Sequence, residues 1–425
     1  MRKPAFVFIF IAILLDMLAI GIIIPVLPQL VLNFTGGDTA HAAQYFGAFG
    51  TIFAVMQFVA APVMGVLSDR YGRRPVILVS CFGMGLDYII MALAPSLGIL
   101  FLGRLVSGIT AASLPTAYAY TADVTPAEKR AGAFALIGGA FGLGFIIGPA
   151  AGGFLGAFSL RLPFWIAAGL CIANALYGLF VLPESLGREN RSKTFEWKRA
   201  NPIGSLRLLK THATLVGLGA VMFLAYLAHQ VFEVWVLYGH YRYAWDSKTV
   251  GLTLAIVGVC SSVVQMGLVQ PSVSRFGERR TLLAGLVFGA LGFTLFAAAT
   301  TTTIFWFGIP LICLWGLATP SIQGLMSPLV SASEQGQLQG ALTSTRGIAQ
   351  LIGPGLFTLT FAFFIAGGAH QLLLPGAPYY LAALIIAGAV GLAAYVTRGI
   401  PARRIAPPEA EALGPAELFP IEDAP

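Results

Sequence analysis

A run of about 20 mostly apolar residues is long enough to cross the hydrocarbon core of a bilayer as a helix, and this chain contains twelve such runs. They fall at residues 5–31, 44–68, 75–95, 98–122, 131–157 and 162–182 in the first half, and at 212–238, 247–270, 280–299, 303–328, 337–366 and 378–397 in the second. Lipid offers the backbone no hydrogen-bond partners, so segments of this length must bond internally as helices. Only 10% of the residues are charged and 57% are hydrophobic, against about 25% charged in soluble domains. The 50 glycines suit close helix packing within a bilayer. The fold class this predicts is an all-α membrane protein with twelve transmembrane helices. The first run follows Met1, Arg2 and Lys3 closely, no small-residue cleavage site ends it, and Pro25 and Pro28 interrupt it. It is read as a retained span rather than a signal peptide.

The charges say where the loops lie. The chain carries a net charge of +7, but its basic residues sit between spans rather than on one patch, so nucleic acid is not an expected partner. With the N-terminus in the cytoplasm, 20 of the 25 Lys and Arg fall in cytoplasmic loops, tails or a central linker. Arg161, Arg242 and Lys248 fall on the other side, and Arg104 and Arg346 lie within spans or at their edges. That asymmetry predicts both termini inside. Cys81, Cys171, Cys260 and Cys313 each lie in an apolar run without CxxC spacing. They read as small buried hydrophobes, with neither a disulfide nor a metal site expected.

One short polar island, Gly65 to Pro75, holds Asp69 and three arginines, Arg70, Arg73 and Arg74. A partial copy follows 205 residues later, where Arg275, Gly277 and Arg279 repeat Arg70, Gly72 and Arg74. The same offset relates Gly148 and Pro149 to Gly353 and Pro354, and Pro115 to Pro320. Three matches at one offset indicate a duplicated unit, and six spans per copy give both copies the same orientation. This is a parallel repeat, which places a substrate site at the interface between halves. The expected division is an N-terminal six-helix lobe (1–182), a cytoplasmic linker (183–210), a C-terminal six-helix lobe (211–400) and a disordered tail (401–425). The tail is Pro-rich and acidic towards its end and cannot bury a core.

These motifs resemble the Major Facilitator Superfamily. Gly65, Leu67, Asp69, Arg70, Gly72, Arg73 and Arg74, with Leu78, resemble its signature loop between helices 2 and 3. Leu102, Arg104 and Gly108 resemble its helix-4 motif. Gly139, Phe141, Gly142 and Gly144, followed by Gly148, Pro149, Gly152 and Gly153, resemble the helix-5 motif of antiporters. Asp16 in the first span, Leu86-Asp87-Tyr88 in the third, Trp235, Trp245-Asp246-Ser247 and Gly336 to Gly340 narrow the resemblance to tetracycline-resistance efflux pumps. Those pumps carry an acid within the ninth helix, near the position of Gly289, and this ninth span has none. The fourth span also departs, with Ala112 to Tyr118 where a Gly-rich run is usual. Both departures fall where a cavity would be lined, so the resemblance leaves the substrate open.

Several polar residues lie inside spans. Carboxylates in lipid are costly unless paired or protonated, so Asp16 and Asp87 are candidate proton carriers, or else fixed helix-to-helix bonds. Arg104 cannot deprotonate, but it can tune a neighbouring carboxylate or change partners. The resemblance implies a role in proton coupling for all three. Gly142, Gly144, Gly148 and Gly152, with Pro149, suit close helix contact and a bend; the antiporter resemblance implies a bendable interface between lobes. His229, Gln230 and Glu233 cluster within one helical turn, with His229 and Glu233 sharing a face at i,i+4. They are candidates for a cavity wall or for the outer membrane boundary. Gln57 and Gln323 are candidates for substrate contact or helix-to-helix bonds. In the loop, Asp69 is expected to dock on a helix N-terminus of the other lobe or on a base such as Arg130, with Gly65 allowing close approach; Gly65, Asp69, Arg70, Gly72, Arg73 and Arg74 would thus form a gate that holds the cytoplasmic side shut and breaks as the cavity opens inward, or else a positive-inside anchor.

The function expected is proton-coupled export of a small amphiphilic molecule by alternating access across a bacterial inner membrane. No Walker motif is present, so the proton gradient rather than ATP is the expected energy source, with no cofactor. The partners expected are the substrate, protons and the lipid bilayer, with the protein a monomer. A facilitator for a metabolite or nutrient and a non-transporting receptor are the rivals. Nothing suggests an enzyme.

Overall fold

The computed structural model describes residues 6–111, 113–126, 129–192, 204–331, 334–366 and 373–399. The segment expected to be a disordered tail lies outside these residues. Among the described residues, twelve helices long and apolar enough to cross a membrane follow one another. Spans 1 to 6 are Phe6–Phe34, Thr39–Tyr71, Arg73–Leu93, Leu97–Val124, Gly132–Phe158 and Leu162–Phe180. Spans 7 to 12 are Ala213–Tyr243, Ser247–Phe276, Glu278–Ala298, Thr302–Leu329, Gln335–Ile365 and Ala377–Val396. They form two six-helix lobes.

Several spans are broken, the first of them at the prolines that interrupt its apolar run. Span 1 opens into a turn between Ile23 and Leu27, at Pro25, which has no N–H to donate and restricts the residue before it. Span 4 is interrupted at Ala111, four residues before Pro115, whose ring would collide with that carbonyl. Span 7 tightens into a 3-10 turn over Gln230–Val234. Span 8 loosens into a π-turn over Val264–Leu268. Pro271 lies four residues after Gly267 of this π-turn, so the same loss of an N–H and collision with the i−4 carbonyl act there, whereas the turn in span 7 has no proline beside it.

The duplication is visible in the backbone. Gly72 (φ 110°, ψ 163°) and Gly277 (φ 78°, ψ 160°) cap spans 3 and 9 in the same left-handed geometry, which only glycine adopts freely. Arg74 Nε donates to Gly178 O at the end of span 6 (3.1 Å), and its repeat partner Arg279 donates to Thr397 Oγ1 after span 12 (3.1 Å). Each arginine ties the third helix of its lobe to the last.

The lobes meet along two seams, span 2 on span 11 and span 5 on span 8. On the face away from the Gly65–Pro75 loop, the seams are tight. Gly47 packs on Thr358, Gly50 on Pro354, Gly153 on Gly251, and Ser247 Oγ donates to Gln29 Oε1. The repeat-related Pro149 and Pro354 occupy equivalent places, with the Pro149 carbonyl against Gly251. Phe58 against Gly347 is further along the first seam, while Gly65, Gly138, Gly139 and Gly267 have open space around them. The lobes thus close away from the loop and part towards it.

The linker divides between the lobes. Residues 184–192 are fastened to the first lobe around Arg73 and Asp69. Gly204–Thr211 packs along span 11 and buries Leu208, with Leu209 against Gly219 of span 7.

Candidate functional site

The first lobe holds two intramembrane acids in different settings. Asp87 on span 3 has no exposed surface. Arg104 on span 4 donates from Nη2 to Asp87 Oδ2 at 2.8 Å. Gly103 makes this possible, because a side chain there would strike Asp87 Oδ1. The guanidinium also lies over the Phe53 ring of span 2, 5.4 Å from its centre. Asp87 Oδ1 and Arg104 Nε have no hydrogen-bond partner among the described residues. The pair therefore keeps unused capacity, as a changeable contact needs.

Asp16 on span 1 is 1% exposed and lies inside the lobe rather than on the interlobe cavity. Asn174 Nδ2 of span 6 donates to Asp16 Oδ1 (2.8 Å) and to the Ala12 carbonyl (2.8 Å). The Cys81 thiol of span 3 donates to the same carboxylate at 3.6 Å. Cys81, expected as a plain hydrophobe, thus has a polar partner as well as burial. Asn174 was missed; an amide in a 19-residue apolar span was the available signal.

The glycine series of span 5 does not all face the other lobe. A Cβ at Gly148 would lie 2.6 Å from Gly21 Cα, and side chains at Gly144 and Gly152 would strike Met17 and Ile22. Gly144, Gly148 and Gly152, four residues apart, therefore seat span 1 within the same lobe. Only Gly142 (3.9 Å from Ser262 Oγ), Pro149 and Gly153 face span 8. The sequence placed all of them between the lobes because small-residue spacing marks a contact without naming the partner.

The turn in span 7 separates residues expected to share a face. Four residues advance a helix by about 40° in α geometry but by about 120° in a 3-10 turn. Glu233 accordingly faces span 2, with Oε2 3.9 Å from where a Gly50 Cβ would be, and feels the charge of Arg104 from the opposite lobe. His229 faces the cavity instead, its ring centre 5.9 Å from that of Trp315 and within electrostatic reach of Arg346. Gln230 is buried, packed on Gly353, and donates to Tyr226 O (3.3 Å). The cluster lies well within the 31-residue span, not at the outer boundary. Gln57 and Gln323 are half-buried, without side-chain hydrogen bonds among the described residues.

The missing acid of span 9 has a structural counterpart. Gly289 lies against the Trp315 ring, 2.9 Å from where its Cβ would be. An aromatic side chain from span 10 occupies the place into which an acid would project.

The loop that began the repeat is anchored inside its own lobe. Asp69 pairs with Arg73 of the same loop, and Arg73 Nε donates to Asp123 Oδ2 at the end of span 4 (3.1 Å). Arg70 lies over Tyr71, 5.3 Å from its ring centre. Arg130 is not the partner of Asp69; its Nε donates to the Thr125 carbonyl (3.1 Å). Nor does Gly65 touch the other lobe. The acid at a helix N-terminus is Glu184 of the linker, which accepts from the backbone N–H of Arg73 (2.8 Å), Ser185 (3.0 Å) and Leu186 (3.1 Å). Burial of Gly72 against Glu184 is a tertiary event with no signal in the loop itself.

Residues 9–354 match the family model of the Major Facilitator Superfamily. The tetracycline resistance protein of class C from Escherichia coli is 38% identical over 374 residues, 87% of this chain and 93% of that protein. The class G protein of Vibrio anguillarum is 39% identical over 88% of this chain and 94% of its own. Among solved structures, the human organic anion transporter MFSD10 (TETRAN) aligns with a TM-score of 0.68 at 23% identity, covering 92% of this chain and 100% of its own. The nucleoside transporter NupG aligns at 0.71 and 16% identity, covering 92% and 98%. Identity of this order, sustained along most of both chains, establishes that the chain belongs to the Major Facilitator Superfamily and groups there with the tetracycline resistance proteins.

Proposed function

We propose that this chain is a drug exporter of the bacterial inner membrane that moves a small amphiphilic molecule out in exchange for protons. The observation that carries the mechanism is the Asp87–Arg104 pair, buried within the bilayer-crossing part of the first lobe. A carboxylate there is held ionised by its partner and becomes free to take a proton when the guanidinium leaves. Arg104 has a second carboxyl group within electrostatic reach, Glu233 of the other lobe. Rocking of the lobes changes the distance between them, and so couples protonation of Asp87 to which face is open. Asp16, bonded to Asn174 and Cys81, serves as a second acid or as a fixed hydrogen bond holding spans 1, 3 and 6. Asp69 and Arg73 tie the loop to span 4 in the arrangement open on the loop side. The charge distribution assigns that side to the cytoplasm.

Tetracycline is the first substrate to try, because the relatives are named for resistance to it. In everted vesicles with an acid interior, added substrate should release protons from the wild-type vesicles, and Asp87→Asn should abolish release while substrate still binds. Undiminished proton release by Asp87→Asn would remove this acid from the mechanism. Absence of release across tetracyclines and a broad panel of amphiphilic drugs would remove antiport.

A further inference from the structure

Arg346 lies in span 11, whose helix begins at Gln335, so it is about 16 Å along that helix at 1.5 Å per residue. It is an arginine about a third of the way along the span, always charged, and its side chain is exposed. Exposure to lipid at that depth is strongly unfavourable. Its neighbours show where it points. Gly347, the next residue, packs against Phe58 of span 2 in the first lobe, and Gly353, two turns on and on nearly the same helix face as Arg346, packs on Gln230 of span 7 in the second; Tyr118, Tyr226 and His229 are within electrostatic reach of the guanidinium. An exposed group on the face of span 11 turned to spans 2 and 7 faces the cavity between the lobes. Arg346 makes no hydrogen bond or ion pair among the described residues. The carboxylates that could oppose it are withdrawn. Asp16 and Asp87 are buried in the first lobe, Glu233 is half-buried against Gly50, and the ring of Trp315 stands where a span-9 acid would project.

We propose, building on the exporter reading, that Arg346 is a substrate-binding residue and that the substrate is an aromatic anion. Its carboxylate or enolate pairs with the guanidinium, and its ring lies among Tyr118, Tyr226, His229 and Trp315. Arginine supplies a planar donor fork suited to such a group. The aromatic side chains supply flat apolar faces. A cationic substrate would meet a fixed positive charge in this part of the cavity and no exposed carboxylate.

The test uses the full chain in lipid nanodiscs with three probes sharing one ring: 2-naphthoate, 2-naphthamide and 2-naphthylmethylammonium. Binding is read by quenching of tryptophan fluorescence. Wild type should prefer naphthoate to the amide by about tenfold or more and bind the ammonium most weakly. Arg346→Gln should bring naphthoate affinity down to that of the amide and leave the amide unchanged. Arg346→Lys should keep most of the preference. No binding of naphthoate, tighter binding of the ammonium, or a preference that survives Arg346→Gln would overturn the proposal. Export is measured separately in proteoliposomes with an imposed pH gradient. Anion-selective binding without gradient-driven movement would count against the exporter reading and leave the anion site standing, whereas gradient-driven export of cations alone would do the reverse.

Discussion

The Asp87–Arg104 pair can be tested with a double-mutant cycle that separates stability from coupling. Asp87 has no exposed surface, and one of its oxygens already lacks a partner among the described residues. Arg104→Gln leaves that carboxylate without its cation. Losing one member of a buried pair costs about 3–5 kcal/mol, and the lower end applies here because the acid can take up a proton instead. Asp87→Asn leaves a guanidinium that is 15% exposed and lies over Phe53. It can turn towards cavity water, so a loss of about 1–2 kcal/mol is expected. The double variant buries no unpaired charge and should lose only about 1–2 kcal/mol. The cycle then gives a coupling of about 2–4 kcal/mol. Thermal unfolding in nanodiscs should rank Arg104→Gln as the least stable and place the double variant above it. All three variants should lack substrate-driven proton release, because the two that carry Asp87→Asn have no titratable group there and Arg104→Gln leaves a protonated Asp87 with no cation to discharge it. If the two single losses simply add in the double variant, the ion pair is not an energetic unit and the coupling argument fails.

Glycines that face a neighbour and glycines that face open space should part sharply. Gly148→Ala and Gly152→Ala should lower folded yield and melting temperature, since each new methyl meets the backbone of span 1, whereas Gly138→Ala and Gly139→Ala should be neutral or stabilising by about 0.5–1 kcal/mol. Equal tolerance at the two sets would refute the placement of span 1 against span 5. At the closed seam, a Cβ on Gly47 would lie 3.0 Å from Thr358 Cβ. Oxidation of the Gly47→Cys, Thr358→Cys variant should therefore lock the lobes and stop transport, and reductant should restore it. A cross-linked protein that transports normally would show that this seam need not open. Glu184→Gln should weaken the anion at the start of span 3 by about 1 kcal/mol and speed tryptic cleavage after Arg188 and Arg191. An unchanged cleavage rate would mean that the linker is held by other contacts.

Much of the fold was legible because its determinants are local. Twelve apolar runs, prolines that break spans 1 and 4, and positive-φ glycines at the same offset in both copies follow from what neighbouring residues can do in lipid. The same locality revealed Asp87 and Arg104 as candidates, since charges within apolar runs demand partners. It did not reveal which partner. Gly144, Gly148 and Gly152 have the right spacing for a helix contact, but spacing carries no address, and the structure gives them to span 1. Asp69 could pair with any base within reach, and it takes the one four residues away. His229 and Glu233 part because the helix tightens at Gln230, where the side chain packs on Gly353 of span 11. Arg346 stood in plain view as an intramembrane charge, but its importance depended on what did not lie beside it.

Taken alone, the sequence determined that the chain carries twelve runs able to cross a bilayer and that motifs recur at one offset between its halves. Those properties come from hydration cost and chain geometry, which each segment obeys by itself. Only the tertiary structure decided which helix each glycine admits, which acid meets Arg104 and which meets Asn174, and that the exposed charge of Arg346 faces the cavity between the lobes. These depend on distances between segments far apart in the chain. In a bilayer the greasy surfaces of the helices are nearly interchangeable to lipid, so steric fit and the pairing of a few polar groups choose the partners.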